Sequence, residues 1–97
     1  MAIKIYRSDF LSFRCELERA ILATDQEELN NYLTRAKFLA FLLSRLLGYT
    51  YIEMFDQTYN LAVLAANAES DKKEKVQAFR QHFSTIKYEL SVKNKFY

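Results

Sequence analysis

A single glycine and no proline in 97 residues constrain this chain more than any other feature. Tight β-turns depend on Gly, Pro and Asn-Gly pairs, so a sheet-rich fold has nothing to turn its strands with. Disorder is excluded as well, because 51% of the residues are hydrophobic and the formal net charge is only +2. What remains is an all-α fold, and the length suits one helical domain over residues 1–97.

Four helix-start signals divide the chain. Ser8 precedes an apolar periodicity that begins at Phe10, and Asp25 stands three residues before Glu28, the spacing of a capping box. Gly48 is a left-handed stop, and Thr50 to Glu53 forms a second box. Asp71 to Glu74, after Ser70, forms a third. The spacing predicts helices at 9–23, 26–47, 51–68 and 72–93. Their short connections force neighbours antiparallel, giving an up-down four-helix bundle. Residues 1–7 alternate apolar and polar. A lone strand has no partner in such a chain, so they are expected to lie on the bundle as a short extended arm.

The helices differ in how much of their surface is apolar. Predicted helix 4 carries one narrow stripe, Val76, Phe79, Phe83, Ile86 and Leu90, and helix 1 carries Phe10, Phe13, Leu17, Ala20 and Ile21. The stripe of helix 2 is Leu29, Tyr32, Leu33, Ala36, Leu39, Ala40, Leu43, Leu46 and Leu47, yet Phe38, Phe41 and Leu42 fall on its opposite side beside Arg45. Helix 3 has a stripe of Ile52, Phe55, Tyr59, Ala62, Val63 and Ala66, widened by Met54, Leu61 and Ala65. One helix face cannot account for so much apolar surface. The excess points to a protein interface at Phe38, Phe41, Leu42, Arg45, Met54 and Leu61, with burial inside the chain as the competing account.

Chemistry has little to work with, and the expectation is no enzyme, cofactor or metal. His82 is the only histidine and sits at the border of the helix 4 stripe, a structural position rather than that of a general base. Cys15 lies on a secondary apolar side of helix 1 with Leu11 and Leu22, as a buried small hydrophobe would. It cannot form an internal disulfide, which suits a reducing cytoplasm. Glu27 with Glu28, and Glu53 with Asp56, are carboxylate pairs in first turns, where they favour the helix dipole. The start of the chain lacks an apolar signal segment, and the longest apolar run, Phe38 to Leu43, is far too short to span a bilayer.

Nucleic acid is the alternative partner. Residues 71–97 hold seven Lys or Arg against three acids, while residues 1–70 carry seven against nine. Lys73, Arg80, Lys87, Lys93, Lys95 and Tyr97 would form that contact, with the terminal aromatics free to stack on bases. A small ligand held in a dimer between Tyr49, Tyr51 and basic side chains is a third reading. The leading expectation is a non-enzymatic interaction module: an adaptor, inhibitor or antidote of a larger partner, as in small bacterial or phage-encoded regulators. It is expected to self-associate through helices 2 and 3 as a homodimer. That last step rests on analogy at the level of fold.

Overall fold

The computed structural model describes residues 3–97. It contains α1 (Arg7–Leu22), α2 (Gln26–Leu47), a 3-10 turn at Tyr49–Tyr51, α3 (Ile52–Asn67) and α4 (Lys72–Val92). The four helices form a bundle of 45 × 24 × 20 Å. Met1 and Ala2 of the expected arm lie outside the described residues.

The capping signals fare unequally. Asp25 caps α2 as its spacing requires, its carboxylate accepting the Glu28 N–H at 2.8 Å. Ser8 does not cap α1. The helix starts one residue earlier, at Arg7, because the Tyr6 carbonyl accepts the N–H groups of Asp9 (3.1 Å) and Phe10 (3.2 Å). The Thr50 box is also absent. Gly48 has φ 117° and ψ 167°, a conformation open to glycine rather than the ordinary left-handed helical one. It leads into the 3-10 turn, whose Tyr49 carbonyl accepts the Ile52 N–H, so backbone takes the place of a side-chain cap on α3. Asp71 caps nothing with its side chain, which pairs instead with Lys75 at 3.5 Å.

The core is aromatic. Phe10, Phe13, Phe55, Phe79 and Phe83 are buried. The Phe10 and Phe83 rings stack with centroids 4.5 Å apart, and Phe13 meets Phe55 at 5.3 Å. Each such ring stabilises the fold by roughly 1.5–3 kcal/mol. Buried Ala36, Ala40, Ala62 and Ala65 on α2 and α3 leave room for these rings. The expected stripes of α1 and α4 are buried with the sole exception of Val76, which is half-buried. The wide apolar arc of α3 has a simple cause, since α3 touches α1, α2 and α4.

Two expectations about the core are corrected. Leu46, assigned to the α2 stripe, is exposed, because the buried side of α2 closes on Leu43, Ser44 and Leu47 instead. Cys15 is exposed too, as are Leu11 and Leu22, since α1 turns only its phenylalanine stripe inward.

The extended arm does find a partner within the chain. At the end of α4, Asn94 adopts φ 56°, and Lys95 N–H bonds the Leu90 carbonyl at 2.8 Å while Asn94 N–H bonds that of Ser91 at 3.1 Å. This is a Schellman turn with asparagine in the left-handed position. It sends residues 95–97 back alongside Ile5, with Ile5 N–H to Lys95 O at 2.9 Å and Tyr97 N–H to Ile5 O at 3.0 Å, a single parallel bridge. Ile5 and Phe96 are both buried beneath it.

Candidate protein interface on the second helix

Phe38, Phe41 and Leu42 lie outside the chain's own core, at 62%, 54% and 41% exposure. Leu46 at 53% and Tyr49 at 89% continue the same line. Positions 38, 41, 42, 45 and 46 advance by alternating steps of three and one, so they form one stripe along the outer side of α2, and Tyr49 follows just past the helix end. Gly48 ends the helix one residue before Tyr49, which is why that ring stands clear of the bundle.

The stripe is a ridge between two hollows. Toward α1, Glu16, Thr34, Arg35, Phe38 and Leu39 line one of them. Toward α3, Leu33, Lys37, Phe38, Phe41 and Tyr59 line the other, which continues past Arg45, Ile52 and Asp56. Cations lie on the aromatic faces. The Arg45 guanidinium carbon is 5.2 Å from the Phe41 ring centre, and Lys37 Nζ is 5.5 Å from that of Tyr59. Phenylalanine and arginine so arranged are the residues enriched at interface centres.

Met54 and Leu61 are not part of this surface. They are half-buried against the core on the flank of α3 that carries Gln57, the flank facing α4. Ile52, Asp56 and Tyr59 occupy the opposite flank, toward α2. Of the six residues singled out from the sequence, the structure thus brings together Phe38, Phe41, Leu42 and Arg45. The sequence reading misses Leu46, although its spacing of four from Leu42 carries the signal, and Tyr49, which lies past Gly48 where helical spacing no longer applies.

The basic segment is differently occupied. Arg80 makes a fork with Glu18, Nε and Nη2 each donating at 3.0 Å, and Lys93 pairs with Glu89 at 3.1 Å. Lys73 and Arg80 share one hollow along α4, whereas Lys95 belongs to the terminal bridge. Phe96 is buried against Phe10 at 5.4 Å and is not available to stack on a base. Tyr97 is exposed but rests on Tyr6, centroids 4.6 Å apart. Tyr49 and Tyr51 do not line a common ligand site, since Tyr51 is buried and Tyr49 projects outward.

His82 joins α4 to α3. Its Nδ1 is 2.7 Å from the hydroxyl of buried Thr58, and its Nε2 is 3.1 Å from Gln57 Oε1. The Thr58 hydroxyl donates to the Met54 carbonyl at 3.1 Å, which leaves its oxygen to accept from the imidazole Nδ1–H. Burial holds the imidazole below its ordinary value of 6.5. A depressed histidine leaves stability intact above that value. As pH falls below it the unfolded chain takes up the proton first, so stability declines until the folded state is protonated as well. Urea unfolding at pH 7.5 and at about pH 5.5 is expected to show this loss, and His82→Gln should remove the part due to the imidazole.

Among the described residues, no three His, Cys, Asp or Glu side chains converge in a metal-binding group, and no helix is long and apolar enough to cross a membrane. No protein-family model, no curated protein and no solved structure matches this chain.

Proposed function

We propose that this chain is a non-enzymatic helical binding protein that presents the outer face of α2 to another protein surface, as an adaptor, inhibitor or antidote of a larger partner. One observation carries the reading: five large apolar side chains, each at least two-fifths exposed, stand on one stripe that runs along α2 and just past its end. Each is worth roughly 1.5–3 kcal/mol when covered. The chain already buries a full aromatic core, so this surface is not needed to hold the fold. The cover is a protein surface, a second copy of this chain or a different one, and in either case Phe41 lies near its centre. A reducing cytoplasm suits the free and exposed Cys15. The nucleic-acid reading has less support, because Arg80 and Lys93 are already engaged by carboxylates.

A photo-crosslinking residue placed at position 41, or at Thr85 on the outer side of α4, tests the proposal in the native host. Adducts with a protein are expected from position 41 and not from position 85. Adducts from position 85 alone, or from neither, would remove α2 as the contact surface.

A further inference from the structure

We infer that the α2 face receives an amphipathic helix of a different protein, one whose apolar stripe is bordered by Asp and Glu, rather than a second copy of this chain. This rests on the reading of α2 as the contact surface and adds the partner's chemistry to it.

Charge provides the first argument. Residues 29–47 contain Arg35, Lys37 and Arg45 and no acid at all. Arg35 is engaged by Glu16 at 3.0 Å. Lys37 and Arg45 make no ion pair among the described residues; each lies on an aromatic ring of this surface. Asp56 shares a hollow with both, and Glu53 lines the adjoining one beside Tyr49, but neither acid pairs with Lys37 or Arg45. Part of the reason for Arg45 is local, since it stands in the last turn of α2, where the helix dipole favours a cation. Lys37 is mid-helix and has no such reason.

Symmetry provides the second. Copies meeting about a two-fold axis present the same residues to each other. Crossing antiparallel at Phe41, Lys37 of one copy would face Arg45 of the second, and in parallel Arg45 would face Arg45. Like charges at a rim suppress association, whereas carboxylates there would complete both cations.

The third argument is size. The stripe on α2 from residue 38 to 46 is about 12 Å long at 1.5 Å per residue and one helix diameter of roughly 10–12 Å wide, with Tyr49 just past its end. That matches a docked helix and falls well short of the about 800 Å² per partner of a stable dimer. The α2 ridge can pack into the groove between side-chain rows on one docked helix.

The test uses the full chain and two labelled 18-residue peptides read by fluorescence anisotropy. Both carry the same leucine stripe at helical spacing, bordered in one by Glu and in the other by Lys. The Glu peptide should bind roughly tenfold more tightly, and the difference should shrink as salt rises from about 50 to 500 mM. Joint reversal of Lys37→Glu and Arg45→Glu should invert the preference. Phe41→Ser, which adds no charge, should weaken both peptides. Sedimentation of the unmodified chain should show a monomer. Equal affinities, or a dimer that Phe41→Ser dissociates, would overturn the acidic partner while leaving α2 as a contact surface. If neither peptide binds and the chain remains monomeric, both the partner and the surface are overturned.

Discussion

Replacing Phe96 by alanine is expected to destabilise the chain by about 3–5 kcal/mol, the range for truncating a buried phenylalanine. A chain of this size has roughly 5–15 kcal/mol in all, so the loss would be a large share. The ring is the anchor of the terminal bridge. It sits 5.4 Å from Phe10, the Arg7 guanidinium carbon lies 4.4 Å from its centre, and it is 6% exposed. Without it the two hydrogen bonds to Ile5 would tie down a segment with nothing buried beneath, and Ile5 would lose its cover. Urea unfolding followed by circular dichroism measures the effect. Tyr97→Ala is the control. That ring is 71% exposed and touches Tyr6 alone among the aromatic rings, so its removal should change stability by less than about 1 kcal/mol. A Phe96→Ala chain as stable as its parent would mean that the tail does not hold the arm.

How far the residues announce this arrangement depends on whether the signal is periodic or conformational. Start signals and apolar spacing together place all four helices within two residues at each end, because burying a stripe requires side chains on one face and leaves little choice of register. Capping residues were a poorer guide. Ser8, Thr50 and Asp71 have the right chemistry, but backbone carbonyls accept from the first N–H groups of α1 and α3, and Lys75 engages the Asp71 carboxylate itself. The end of α4 was legible in principle: Asn94 is one of the few residue types that tolerate a positive φ, and Phe96 follows it as an apolar residue needing cover. The basic residues around them, Lys93 and Lys95, mask both signals. The outer stripe of α2 was half visible. Phe38, Phe41 and Leu42 stood out from the core stripe, whereas Leu46 was assigned to it, because a residue at the stripe's edge faces inward or outward according to where the neighbouring helices sit. Met54 and Leu61 show the reverse case. Their apolar excess belongs to α3 as the helix with three neighbours, which no single-helix pattern reveals.

The substitution Phe41→Glu should separate binding from folding more sharply than any other. Phe41 is 54% exposed, so a carboxylate there stays in water, and glutamate favours a helix at least as well as phenylalanine. The Arg45 guanidinium would lose the ring it now lies on, but the introduced carboxylate would stand four residues before Arg45, with the acid N-terminal to the base, the favourable order. These contributions offset one another, and the stability measured by urea unfolding should change by less than about 1 kcal/mol. Binding has no such compensation. Losing a phenylalanine near the centre of the ridge, and forcing a carboxylate against apolar surface, should together cost about 3 kcal/mol, roughly a hundredfold in affinity. The complex recovered from native cells should then disappear while circular dichroism remains that of the helical parent. Tyr88→Glu distinguishes this site from exposed aromatics in general, because Tyr88 on α4 is 72% exposed and should tolerate the change with binding intact. An unfolded Phe41→Glu chain would return Phe41 to the protein's own core. A folded chain that keeps its partner would leave the α2 ridge without a role in recognition.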